Sequence, residues 1–295
     1  MKLITNYLKR ALYAFIIGVF FCAVNSTGNA AETKDLFWYF PDFPPANFVN
    51  GLMQGLGYND QTQKFLMQNM PNYKHHKVIA SYKRTLYDLK HKNGCAVGFY
   101  KDVEREKYLI FSLPNLLTFP NGLVIKEKDL PKFSQYLDKN NFISIYQLIK
   151  DQKLHLGVAN DRRYAGAIDL AIKQSHNHNI YFREGENVFS SLLHMLDSER
   201  IDYMFGFPEE LEYHRSLGIL QNKMKFIPIK EMLKYELSYI VCSKNSWGKS
   251  VIYDINKIIK KQRTSDQYLR FYEFWLDFDS KKRHHQLSKE LFSLD

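Results

Sequence analysis

The chain has 295 residues, is 45% hydrophobic and 24% charged, and carries 41 Lys+Arg against 31 Asp+Glu for a formal net charge of +10. That length holds one large domain or two modest ones with real cores, and the ordinary apolar fraction excludes wholesale disorder. Three cysteines exclude a disulfide scaffold, and nine prolines with 14 glycines exclude a collagen-like or linker-like chain.

The first ten residues carry Lys2, Lys9 and Arg10 and no acid, 11–24 runs almost wholly apolar, and 25–30 is small and polar with Gly28 and Ala30 at small-x-small spacing. This is the layout of a secretory signal peptide over 1–30, cleaved near Ala30, because the apolar run falls short of the ~20 residues a spanning helix needs. An uncleaved N-terminal anchor is the other reading of the same residues. Cys22 follows Phe20 and Phe21, where lipidation signals carry small residues, so it does not read as a lipid anchor. No later segment is apolar enough to span a bilayer, which places the mature chain in the periplasm. Export leaves 38 basic against 31 acidic residues, a net +7 that is scattered except at 257–263 and 281–285. Both runs read as solvated helix faces. No basic stripe accompanies a reading element, so nucleic acid is excluded as a partner. Cys95 and Cys242 remain; an oxidising compartment permits a bridge, but two buried free thiols is the reading preferred.

In chain order, 35–40 reads as a strand opening into the stiff loop Pro41-Asp42-Phe43-Pro44-Pro45. Helix is expected over 57–70, a strand over 78–82, helix over 82–92 and a strand over 94–100. The segment 115–125 is extended and leaves the region. A second series follows: helix 144–150, strand 154–159, and a helix from near Arg163 capped by Asn160-Asp161. Then come strand 180–183, a helix with Val188, Phe189, Leu192, Leu193 and Leu196 in one stripe, and strands 201–207, 225–229 and 237–242. Pro208 stops the first of these. Helices from Ser246 and over 265–275 close the chain. Alternating strands and helices define an α/β class with mostly parallel sheets. The two series predict two lobes, 31–122 with 231–295 and 123–230, crossing near 119–126 and 228–237. Ligands in such sheets sit beyond the carboxyl ends of strands, in the cleft.

These residues also carry a likeness. A Phe43–Pro45 loop follows the aromatic strand; Gly51, Gly55 and Gly57 precede a helix; Glu104-Arg105-Glu106 lies five residues before Phe111-Ser112-x-Pro114. The second half adds Gly157, Gly166, Ser198-Glu199-Arg200-Ile201-Asp202 and a closing 239–243 segment. In this order the motifs resemble the family 3 extracellular solute-binding proteins, over nearly the whole mature chain and closest to a poorly characterised branch. The resemblance implies a type II periplasmic-binding fold: two lobes, two mostly parallel sheets flanked by helices, and two hinge crossings. It implies that Arg105, behind a helical turn capped by Asp102, grips a ligand carboxylate with its planar fork. Trp38 and Phe43 stand where relatives pack an aromatic on the ligand, and Arg84 lies early in a helix beside the cleft. The second lobe's anion-binding turn corresponds to Asn160, Asp161, Arg162 and Tyr164, at a helix N-terminus with free amide donors.

Two departures matter. No Ser or Thr lies in 99–103 before Arg105, and the position of the aspartate that holds an ammonium is Phe207, with Glu209 the available substitute. Both point away from a standard α-amino acid and toward a small polar or anionic solute. The expected function is a monomeric periplasmic binding protein that closes on that solute for an ABC-type uptake system, with a membrane permease as partner. The alternatives are a sensing module acting through a membrane receptor and a dehydratase-like enzyme on the same fold. No catalytic residue, cofactor or metal is expected, since His75-His76, His176-x-His178 and His284-His285 lack ligand spacing and read as loop or surface histidines.

Overall fold

The computed structural model describes residues 34–160, 162–176, 178–185 and 187–293. The signal segment read in 1–30, with Cys22, lies outside the described residues, and so does Asp161. The first run of elements is β1 (Lys34–Phe40), α1 (Tyr58–Asn69), β2 (Tyr73–Ile79), α2 (Tyr82–His91), β3 (Cys95–Tyr100), the short α3 (Val103–Glu106) and β4 (Leu109–Thr118). The chain then passes into β5 (Gly122–Lys126), α4 (Leu130–Phe133), α5 (Ile145–Leu148), β6 (Leu156–Ala159), α6 (Gly166–Gln174), β7 (Ile180–Arg183), α7 (Val188–Asp197), β8 (Tyr203–Gly206), α8 (Pro208–Ser216) and β9 (Met224–Ile227). It returns through β10 (Glu236–Ser243), α9 (Ser246–Gln262), α10 (Asp266–Glu273) and α11 (Phe278–Phe292).

These strands form two five-stranded sheets, ordered β2-β1-β3-β10-β4 and β7-β6-β8-β5-β9. In each, four strands share a direction and one opposes them: β10 is antiparallel to β3 and β4, and β5 is antiparallel to β8 and β9. The odd strand is in both cases the one entered directly from the other sheet. β4 runs to its carboxyl end, the chain crosses at 119–121, and β5 must then run away from the crossing; β9 and β10 repeat this on the way back. The carboxyl ends of the parallel strands in both sheets therefore face the same seam. This is the two-lobed, type II periplasmic-binding-protein-like α/β fold.

Local sequence explains most elements. β6 and β8 are buried along their whole length, as strands covered on both faces must be. α7 buries Leu192, Leu193 and Leu196, and α9 buries Val251, Ile252, Ile255 and Ile259, each as one apolar stripe. Three boundaries differ from the sequence reading. β2 starts at Tyr73 rather than 78, pairing with β1 from Lys34↔Tyr73 to Phe40↔Ile79; as an edge strand it tolerates the polar run 74–77 that disguised it. α6 starts at Gly166 with Ala165 at its cap position, and Asp169 of its first turn reaches back to accept the N–H groups of Tyr164 and Ala165 at 3.0 Å, which fixes the entry of the chain. Pro208 does more than stop β8: its ring occupies the first position of α8, where no amide hydrogen is needed.

Three expectations are corrected outright. Cys95 and Cys242 are not free thiols; they pair in register on β3 and β10, with Cα atoms 4.1 Å apart, and form a disulfide. The basic runs are not wholly solvated: Arg263 is 1% exposed and donates to the Pro114 carbonyl at 2.9 Å. His284 is not a surface histidine either. It lies on α11, a helix the sequence reading did not separate, and is fully buried between Glu273 (3.0 Å) and the Leu117 carbonyl (3.1 Å). No helix among the described residues is long and apolar enough to cross a membrane.

Candidate functional site

The seam collects the carboxyl ends of β1, β2, β3 and β4 from one sheet and of β6 and β8 from the other. On the first side, β3 bulges at Gly98. Tyr239 pairs with Phe99 and Ile240 with Val97, so Gly98 is skipped, with φ of 88°. A Cβ there would strike the Asn59 amide at 2.2 Å, so only glycine fits. The bulge sets the direction of Phe99 and Tyr100. Asp102 then caps α3, accepting the Arg105 N–H at 2.9 Å. The Arg105 guanidinium is held from three sides. It pairs with Asp102 at 2.9 Å, donates to the Tyr100 carbonyl at 2.8 Å, and lies 5.8 and 5.9 Å from the rings of Tyr82 and Phe99. Those two rings stack 5.2 Å apart. The result is a pre-oriented cation on an aromatic platform, still about one-quarter exposed.

Behind this wall, Tyr100 and Thr118 share a hydrogen bond of 3.1 Å. Glu236, opposite Thr118 at the start of β10, is half-buried and has no hydrogen-bond partner among the described residues; burial pushes its carboxyl up. On the second side, Arg162 makes a two-pronged pair with Glu210 at 2.9 and 2.7 Å and reaches the Asn121 side chain at 2.9 Å. Its guanidinium stacks 5.0 Å from Phe207 and 5.3 Å from Tyr164. Burial opposes the charge, but Glu210 outweighs it and the Arg162 pKa rises. Asn121, on the first crossing, also donates to the Tyr164 carbonyl at 3.2 Å, tying the crossing to the second lobe.

Glu209 crosses the seam. It is 4% exposed, on the first turn of α8, and accepts the Tyr272 hydroxyl of α10 at 2.8 Å. Tyr272 in turn accepts the Phe119 N–H at 3.1 Å. Burial drives the Glu209 pKa up to about 8, and neighbouring Glu210 adds to the shift. Beside it, Tyr213 of α8 packs edge-on against Phe48 at 5.4 Å and Trp275 at 6.1 Å.

The seam thus brings together Arg105, Arg162, Tyr164 and Glu209. Other candidates fall elsewhere. Trp38 is fully buried in the first sheet's core and gives its indole N–H to His75, so it cannot line a cleft. Tyr164 is 1% exposed: its hydroxyl accepts the Ala159 N–H, so it supports the turn from beneath and offers a ligand only its ring edge. Arg84 turns along α2 to Asp88 at 3.0 Å and over Tyr87, away from Arg105. Asn160 bonds the Glu184 carboxylate, and Phe43 is 58% exposed on the loop after β1. The residues that sequence reasoning missed are Tyr82, Asn121 and Glu236. Tyr82 alone had a local signal: it directly follows Ser81, which caps α2 at the end of a strand.

No protein-family model matches the chain, and no curated protein matches it significantly. Solved structures do. A probable amino-acid ABC transporter extracellular-binding protein from Bacillus subtilis is 18% identical, covering 84% of this chain and 100% of its own, with a TM-score of 0.61. Substrate-binding domain 2 of Lactococcus lactis GlnP, in open conformation, is 13% identical over 83% of this chain and 96% of its own, with a TM-score of 0.60. A histidine kinase sensor domain with similarity to periplasmic binding proteins is 11% identical over 83% and 96%, with a TM-score of 0.54. At these identities the likeness establishes the fold.

Proposed function

We propose that the protein is an exported solute-binding protein that closes its lobes on a small polar solute carrying an anionic group, for an ABC-type uptake system. The observation that carries this is Arg105: a guanidinium fixed on the Tyr82–Phe99 stack, partly open, at the carboxyl ends of the strands. The solute's anionic group takes the fork of Arg105. Glu236, half-buried without a partner, receives a donor group of the solute. Arg162 is already satisfied by Glu210, so it supports the turn rather than gripping the ligand. The lobes 31–122 with 231–295 and 123–230 move about 119–121 and 228–235, and ligand contacts to both favour the closed form. Names of the structural neighbours support solute binding, and the Cys95–Cys242 bridge supports an oxidising compartment outside the cytoplasm. The working form is a monomer that docks on a membrane permease.

A thermal-shift screen of organic acids, amino acids and polyamines finds the solute, and calorimetry of Arg105→Ala tests the site. Losing a charge-assisted, two-pronged contact costs about 1.5–3 kcal/mol, or ~10–100-fold in affinity. Unchanged affinity removes Arg105 from the site. A solute recovered chemically altered would turn the reading from binding to catalysis.

A further inference from the structure

A cavity of about 370 Å³ lies where α11 meets β9 and the 137–142 loop. Arg105, Arg162 and Glu209 are not among the residues that line it. Its walls mix apolar and polar groups: Leu137, Phe142, Phe226 and Pro228 line it, and so do Asn140 and Asn141. Arg283 of α11 completes the lining. That guanidinium lies 4.0 Å from the ring of Phe119 and 5.7 Å from that of Phe142. It forms no hydrogen bond or ion pair among the described residues, and its Nε is buried without a partner. Burial accordingly lowers its pKa, although Tyr272 and Asp277 favour the charge.

A half-buried cation held only by two rings is an incomplete arrangement, because desolvation of the charge is not offset by an anion. The other charges in the cavity offset each other: Lys225 stands 3.8 Å from Asp279. Asp277, which favours the charge on Arg283, accepts the N–H groups of Asp279 and Ser280 as the cap of α11, and Asp138 of the 137–142 loop accepts those of Asn140 and Phe142. One positive charge is left over, beside the rings of Phe119 and Phe142, in a volume at the small end of ligand pockets. We propose that this cavity binds a small monocarboxylate with an apolar body, its carboxylate on the fork of Arg283 and its body against Phe142 and Phe226.

Benzoate is a suitable probe, titrated calorimetrically into the exported chain. Saturable binding is expected, at least ~10-fold weaker in Arg283→Met, which keeps an unbranched side chain but removes the charge. Benzyl alcohol, of the same shape without charge, should bind at least ~10-fold more weakly than benzoate. Arg105→Ala should leave benzoate binding unchanged, which separates this site from the cleft. Should Arg283→Met fail to fold, Leu137→Trp fills the cavity from the 137–142 loop and must abolish the signal. No saturable heat, binding retained in both cavity variants, or binding lost in Arg105→Ala overturns the proposal.

Discussion

Burial raises the Glu209 pKa to about 8, a shift that its sequence context does not announce. A Pro-Glu-Glu segment is an ordinary solvated helix start, with acids near the positive end of the dipole. What buries it is Tyr272, 63 residues further along, and no local pattern contains that pairing. The same holds for Arg263 and His284, whose partners Pro114 and Leu117 lie 149 and 167 residues away. Arg105 was singled out through the resemblance, and only its cap, Asp102 three residues before it, is a local signal. The raised Glu209 pKa has a definite sign in stability. Between the ordinary 4.5 and about 8 the folded protein keeps the proton and the unfolded chain releases it. Stability from this group is therefore full below about pH 4.5 and falls as pH rises toward 8, by up to roughly 1.4 kcal/mol per unit. Glu209→Gln accepts the same Tyr272 hydrogen bond without titrating. Urea midpoints measured from pH 5 to 8 should fall less steeply in Glu209→Gln than in the wild type; parallel curves would mean that Glu209 is ionised in the fold.

At the level of elements, apolar stripes and alternation locate α7, α9, β6 and β8 because each signal is local. Strand neighbours are another matter. β10 inserts between β3 and β4 after an excursion of more than a hundred residues, and the sequence of 237–242 says nothing of who flanks it. Hence the two cysteines read as separate buried thiols, although the fold places them opposite one another. The bridge spans a separation of 147 residues, and chain entropy for such a loop reaches about 5 kcal/mol, with measured disulfides giving roughly 2–5. Both sulfurs belong to fully buried residues, so reductant reaches them only as the sheet opens. Cys95→Ala/Cys242→Ala should lower the unfolding free energy from denaturant titration by an amount in that range, and added reductant should shift the wild type toward the variant without affecting the variant itself. A wild type indifferent to reductant after full unfolding and refolding would show that the bridge contributes nothing.

Across the whole molecule, the seam is already bridged by the protein's own side chains. Tyr213 rests between Phe48 and Trp275, Glu209 bonds Tyr272, and Arg162 bonds Asn121 on the crossing. On the function proposed above, a solute that closes the lobes adds to a contact that exists without it. Tyr213 is the contact to remove, since it belongs to neither the Arg105 wall nor the crossings. Two aromatic pairs at about 0.5–1.5 kcal/mol each put the loss at roughly 1–3 kcal/mol, a ~5–150-fold rise in the ratio of parted to docked molecules. Trp275, now 2% exposed, reports the change, because Trp38 stays in the first sheet's core and Trp247, on α9, packs against that same core. In Tyr213→Ala its emission should shift to longer wavelength and the radius of gyration from X-ray scattering should increase. Saturating solute should reverse both, at a higher apparent Kd, since only the docked fraction binds across the seam. A variant that scatters and emits like the wild type without solute would show that crossings and polar ties alone set the lobe arrangement.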